Sequence, residues 1–386
     1  MSQRFSVQEI KDKLFEEIEA LRHEQGFVSA GLPSYNRLFG RDSIIVAWQL
    51  LDIDASIARD TINILSAFQG KRINKKREEE PGKILHEIDL NKKRHPKGYF
   101  PFPYYGSVDS TPLFLILLTF YFRKTKDVNF LKSHFPNFIS AINWLINYGD
   151  KDGDLFLEYR RQNPTGLFHQ GWKDGLKNHL KITPPVAVVE VQGYQYLALI
   201  KSADIFEKFG ERKIASLFRK RAQDLKDKFN KYFWMKERRY FALALDGSKK
   251  QKKTITSNPG HLLFTGICDK NKEKLVVKRL FAKDMWTPFG IRTHSSKEPD
   301  FNPLSYHLGS VWPHDNWIIA QGLKKLGYKV QYKKIKEALL RAYKEIGFIP
   351  EFYGVTDNKI VLKTQHPACW PQAWASGALL NFLLNI

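Results

Sequence analysis

Apolar residues recur at helical spacing through most of this chain, as in Ile10, Leu14, Ile18 and Leu21, while strict two-residue alternation is scarce. The pattern predicts an all-α fold of about a dozen helices, near 6–24, 42–52, 55–69, 109–125, 127–149, 188–207, 211–235, 258–267, 271–282, 311–325, 329–345 and 371–385. Short turns such as Asp52-Ile53-Asp54 and Phe209-Gly210 join several of them, which favours antiparallel neighbours. Three connections, 70–108, 150–187 and 284–310, are long instead. No repeat of 20–50 residues and no Gly/Ser-rich linker divides the chain, so one domain is expected over 1–386, with 1–27 as a leading helix.

Several classes are excluded by what is missing. The most apolar run, Thr111 to Phe122, is about two-thirds of the roughly 18 residues a membrane span needs. The first residues lack the apolar region of a secretory signal, and two cysteines, Cys268 and Cys369, cannot build a disulfide framework. A soluble, cytoplasmic protein is the expectation. The 62 basic against 40 acidic residues leave a formal charge of +22, which attracts polyanions. The basic clusters, Lys71 to Arg77, Lys92 to Lys97 and Lys249 to Lys253, fall between helical segments and read as solvated loops. No zinc-finger, RNA-binding or helix-turn-helix signature accompanies them, so no specific nucleic-acid partner is expected. Phosphate loops, dinucleotide fingerprints, H-E-x-x-H and G-x-S-x-G elbows are also absent. The adjacent pairs His86-Glu87 and His314-Asp315 would point apart on a regular element, so neither a metal nor an organic cofactor is expected.

The remaining signal is a set of carboxylates in aromatic, Gly-rich loops, where a rigid scaffold concentrates functional groups. Gln170-Gly-Trp-Lys-Asp-Gly175 sets Asp174 beside Trp172 and Lys173. An indole can stack on a sugar ring while the acid reaches its glycosidic oxygen, although Asp-Gly also makes an ordinary turn. Ile349-Pro-Glu-Phe-Tyr-Gly354 places Glu351 in apolar surroundings that raise a carboxyl pKa. Leu38-Phe-Gly-Arg-Asp-Ser43 offers Arg41 and Asp42 either as a hydrogen-bonding pair for hydroxyls or, for Asp42, as a helix cap. Tyr306 to Asp315 packs Tyr306, His307, Trp312 and His314 ahead of a helix, too many polar aromatics for packing alone.

Ten segments occur in order from about residue 28. They include Gly31-Leu-Pro-Ser-Tyr-Asn-Arg-Leu-Phe-Gly-Arg-Asp-Ser43, Glu80-Pro-Gly-Lys-Ile-Leu-His-Glu87, Tyr104-Tyr-Gly-Ser-Val-Asp-Ser-Thr-Pro112, Gln170-Gly-Trp-Lys-Asp174, Val189-Glu-Val-Gln-Gly-Tyr194, Asn258-Pro-Gly-His261, Gly309-Ser-Val-Trp-Pro-His-Asp315 and Pro371-Gln-Ala-Trp374. Together they resemble the amylo-α-1,6-glucosidase (glycogen debranching) family. The resemblance implies an (α/α)6 barrel, a six-hairpin toroid with the site at one mouth, and inverting release of glucose from α-glucan or oligosaccharide branches. It implies Asp174 as general acid, Glu351 as general base, and Arg41 with Asp42 as the holders of the terminal glucose. Trp172, Trp312 and Tyr306 would line the pocket, with Lys173, Asp109, Glu190, His307 and His314 as further contacts. Inversion would set the two acids roughly 6.5–9.5 Å apart.

Two departures qualify the resemblance. Gly175-Leu-Lys-Asn178 replaces the Ser and second acid that often follow the family's acid, and the chain is expected to be the catalytic barrel alone. A small glycoside such as glucosylglycerate is the second enzymatic reading, because the basic charge would draw in an anionic leaving group. A non-catalytic glycan binder is the third, against which the retained acid pair argues. A nucleic-acid binder rests on charge alone.

Overall fold

The computed structural model describes residues 5–90 and 100–384; the basic cluster Lys92 to Lys97 lies outside the described residues. Its helices are α1 (Val7–Leu21), α2 (Gly40–Leu50), α3 (Ala55–Ala67), α4 (Ser110–Thr125), α5 (Val128–Ser133), α6 (Phe135–Asn147), α7 (Val189–Lys208), α8 (Arg212–Tyr232), α9 (Leu262–Thr265), α10 (Lys270–Leu280), α11 (Pro313–Lys325), α12 (Lys329–Ile346) and α13 (Ala373–Leu383). Helices α2, α4, α7, α9, α11 and α13 each touch the next, and α13 touches α2, so six helices close a ring. Outside it α1 packs on α13, α3 on α2, α6 on α4, α8 on α7, and α12 on α11, with α10 against the 3-10 turn Asn258–His261 that leads into α9. This is an (α/α)6 barrel.

The two rings differ in sequence for a physical reason. An inner helix is covered on every side, so α4 buries all but one of its first thirteen residues and needs no polar face. An outer helix buries one stripe, as α8 does with Ala215, Ala222, Leu225 and Phe229. Where inner helices meet most closely, glycine is required. A Cβ on Gly322 of α11 would stand 2.4 Å from Leu263 Cβ and 2.7 Å from the Phe264 amide nitrogen. Gly322→Ala is therefore expected to cost about 1–3 kcal/mol. A thermal midpoint unchanged from wild type would show that α9 and α11 can part without penalty.

Two helical expectations are corrected. The segment read as one helix over 127–149 is two, α5 and α6, broken at His134, because Pro136 lacks an N–H and its ring crowds the carbonyl of Lys132. The segment read over 258–267 is the 3-10 turn followed by a single α-turn, closed by Gly266 at φ 90°. The structure also contains strand pairs of two or three residues that no alternating run announces. Leu38–Phe39 pairs with Glu87–Ile88 directly before α2, and Ala187–Val188 pairs with Ala244–Leu245 directly before α7. These clips pin the N-terminal ends of inner helices. The cluster Lys249 to Lys253 is not a plain solvated loop either, since the Lys249 ammonium contacts Asp152, Asp154 and Glu158 at 2.8, 2.7 and 2.5 Å.

Candidate active site

The sequence-predicted site residues gather at the end of the barrel where the inner helices begin, although Asp109, Glu190 and His314, expected as sugar contacts, are buried there. Helix N-termini present unpaired N–H groups and a partial positive charge. Asp42, Glu190 and Asp315 accordingly occupy the first turns of α2, α7 and α11.

Arg41, the second residue of α2, is 3% exposed and bridges two acids. Its Nη1 donates to both carboxylate oxygens of Asp109 at 3.1 and 3.0 Å, and its Nη2 donates to Asp174 Oδ2 at 2.5 Å. Asp42 lies 4.0 Å from Arg41 Nε. Both Nη atoms of Arg41 are thus engaged with carboxylates, and Asp109 is fully buried behind the mouth. Asp42 makes no side-chain cap bond; the cap position of α2 belongs to Phe39.

Asp174 keeps 24% of its side chain exposed, and its Oδ1 has no hydrogen-bond partner among the described residues. Burial pushes its carboxyl up to about 6 against the pull of Arg41. Glu351 is 2% exposed and accepts two hydrogen bonds, from the Tyr306 hydroxyl at 2.5 Å and from the Cys369 N–H at 3.1 Å. Its carboxyl stands at about 7, raised chiefly by burial and held down by those two donors. Burial likewise carries Asp42 to about 7, opposed by Arg41 and assisted by Asp174 and Glu351. The charges of these acids oppose one another's ionisation, which with burial favours retention of a proton within the cluster.

Aromatic groups wall the acids. Trp172 meets Trp312 edge-on at 5.7 Å, Trp312 stacks on Phe352 at 5.1 Å, and His307 stacks on Trp312 at 5.5 Å. Trp312 is fixed by its indole N–H, which donates to the Tyr306 carbonyl at 2.8 Å. His307 Nε2 donates to the main-chain carbonyl of Asp174 at 3.1 Å, and burial keeps the ring neutral. Beneath Trp172, His314 stacks on Trp374 at 3.7 Å and is likewise held neutral by burial. Lys173 turns inward: its ammonium donates to the Thr293 carbonyl at 2.7 Å, and burial lowers it to about 8 although Asp315 and Glu190 oppose the shift. Trp172 Nε1, Glu190 Oε2, His307 Nδ1, both His314 nitrogens, Asp315 Oδ2 and Trp374 Nε1 are buried without a hydrogen-bond partner among the described residues. A wall that mixes ring faces with unpaired polar atoms suits a polyhydroxylated ring.

Sequence reading missed several members of this mouth. Tyr35 lies close enough for the charges of Glu351 and Asp174 to raise its phenol, after burial as the main cause. His261 bridges the Tyr194 hydroxyl and Asp315 Oδ1 at 2.6 and 2.7 Å. Trp374, Phe352 and the Cys369 amide complete the walls. Tyr35, His261, Asp315 and Trp374 all fall inside the ordered motifs, which was the available signal. Asp150, Asp152 and Asp154 form the one acidic triad among the described residues with ligand atoms close enough to share a cation, and the Lys249 ammonium sits against two of them.

An (α/α)6 barrel with carboxyls at an aromatic mouth is the architecture expected of a glycoside hydrolase of the six-hairpin class. Within that class, residues 35–360 match the mannosylglycerate hydrolase MGH1-like glycoside hydrolase domain, and the chain belongs to that family. It is 24% identical over 159 residues to the mannosylglycerate hydrolase of Rubrobacter radiotolerans, a stretch covering 40% of this chain and 35% of that protein. It is 30% identical over 91 residues to mannosylglycerate hydrolase MGH1 of Selaginella moellendorffii, covering 24% of this chain and 18% of that one. The chain therefore matches well under half the length of these curated relatives. The GH63 mannosylglycerate hydrolase of Thermus thermophilus, solved with Tris, superposes with a TM-score of 0.74 at 14% identity, covering 98% of this chain and 100% of that one. A rhamnosidase from Klebsiella oxytoca superposes at 0.63 with 11% identity, over 98% of this chain and 64% of that one. These last two likenesses are of fold. The glycosidase part of the motif resemblance stands, whereas debranching specificity finds no support among these relatives. Among the described residues no helix is long and apolar enough to cross a membrane.

Proposed function

We propose that this chain hydrolyses an α-linked hexoside with inversion, and that its substrate is a small glycoside with an anionic leaving group of the glycerate kind. The observation that carries the reaction is the unlike wiring of the two carboxyls. The charge of Asp174 raises the Glu351 carboxyl, so the values near 6 and 7 belong to the pair, and the one proton the pair retains goes to the oxygen that no donor occupies. Glu351 accepts two donors, as a carboxylate base should, while Asp174 has one oxygen on Arg41 and the other free to carry that proton. Asp174 gives that proton to the glycosidic oxygen as the bond to the anomeric carbon breaks. Water attacks that carbon and its proton passes to Glu351. Arg41 steadies the carboxylate that Asp174 becomes, and Trp172 with Tyr306 shields the ring from bulk water. The chemistry draws on no metal or organic cofactor.

The substrate class rests on the relatives named mannosylglycerate hydrolases and on the +22 charge, which favours an acidic leaving group over a neutral glucan. Mannosylglycerate, glucosylglycerate, isomaltose, panose, maltotriose and limit dextrin, compared side by side, test it. A glycerate glycoside is expected to exceed every neutral substrate in kcat/KM by at least about tenfold. Preference for isomaltose or panose would install the α-1,6-glucosidase reading instead. Binding of sugars without turnover of any would leave a glycan-binding protein.

A further inference from the structure

Asp109 stands at the N-cap of α4, a place where an aspartate ordinarily bonds its own helix N–H groups. It does not do so. Its side chain makes no cap bond, and Ser107 Oγ serves the Ser110 N–H at 3.3 Å in its stead. The carboxylate turns instead across the gap to α2, where both oxygens take Arg41 Nη1, and Ser107 Oγ donates to Oδ1 at 2.7 Å. Two inner helices are thus tied through a pair whose Arg41 member also holds Asp174 with its second arm.

We propose that Asp109 is a positioning residue: it holds Arg41 as a bridge whose free arm orients Asp174 and governs how firmly Asp174 keeps its proton. This rests on Asp174 being the general acid. A lone guanidinium beside an acid favours its ionised form and spoils it as a proton donor. Asp109 supplies a full opposing charge on the same guanidinium. Its charge also acts on Asp174 directly, in the direction that retains the proton.

Asp174 is faced from every side of the mouth. Arg41 and Asp42 come from α2, Asp109 from α4, Glu87 from the clip at Glu87–Ile88, and Glu351 from the loop after α12. The charge of Asp174 also reaches the phenols of Tyr35, Tyr104, Tyr159 and Tyr306, and the ring of His307 bonds its main-chain carbonyl. Among the described residues Arg41 is the one cation hydrogen-bonded to it. The balance of charge on Arg41 is therefore the lever.

The test is the pH profile of kcat for the wild type, Asp109→Asn and Arg41→Lys on the preferred glycerate glycoside. Neutralising Asp109 leaves Arg41 uncompensated, so the alkaline limb should move about one unit toward acid, with kcat at the wild-type optimum down about tenfold and recovered at lower pH. Lysine keeps the charge but cannot fork between two carboxylates, so Asp174 loses its bond and the limb should move the other way. Opposite displacements support the proposal. Unmoved limbs with kcat lowered equally at every pH overturn it in favour of a purely structural role. If Asp109→Asn does not fold, the direction of Arg41→Lys decides alone, and an unmoved limb rejects the idea. Failure of the acid assignment reads differently: Asp174→Asn would then keep the wild-type alkaline limb and most of its rate.

Discussion

Asp174→Asn and Glu351→Gln are each expected to lower kcat by about 10²–10⁴-fold while the protein stays folded. The choice of amide follows from the hydrogen bonds. Asparagine at 174 still offers a carbonyl oxygen to Arg41 Nη2 and places its NH₂ where the free Oδ1 stood. Glutamine at 351 can accept the Cys369 N–H while its NH₂ faces the Tyr306 hydroxyl, which rotates to accept instead of donate. Neither change opens a cavity or strips a buried charge of its only partner, so loss of activity reports loss of the proton carrier. Steady-state rates with a thermal melt of each variant check this. A variant that keeps more than about a tenth of wild-type kcat moves the acid or base role to another residue.

The ring of helices was legible because its sequence signals are local. Segments apolar on all sides, such as Thr111 to Phe122, became inner helices, and striped ones such as the 211–235 segment became outer helices. The break at Pro136 was legible in principle, since proline in a helix interior disrupts it wherever it stands. The two-residue clips were not, because a period needs more than two residues to show itself. Within the site the same division holds. Asp174, Glu351, Trp172 and Tyr306 advertised themselves by aromatic, Gly-rich surroundings. The task of Asp109 was hidden: it depends on Arg41, 68 residues away, and on Asp174, 133 residues from Arg41, and only ring closure brings the three together. The ion pairs of Lys249 escape sequence reading for the same reason, since its carboxylate partners lie about 90 residues earlier in the chain.

The anomeric product tests the whole assignment. Glu351 is locked in place, because its main-chain N–H donates to the Cys369 carbonyl at 2.9 Å and the Cys369 N–H returns to Glu351 Oε2 at 3.1 Å, with Tyr306 on Oε1. A carboxylate oriented at both oxygens is suited to drawing a proton from a water held in front of it. Asp174 is held from the other part of the mouth by α2 and α4 through Arg41. On the proposed mechanism water enters between the two and reaches the face opposite the leaving group, so an α-linked substrate is expected to yield the β-anomer first. Proton NMR of the anomeric signals in the first minutes of hydrolysis reads this directly, before mutarotation mixes the products. The β signal is expected to account for essentially all of the new sugar at the earliest time points. An initial α-anomer, or a glycosyl group trapped on the protein, would overturn the assignment of Glu351 as base and turn attention to Asp42 and Glu190, whose carboxylates stand at the starts of α2 and α7.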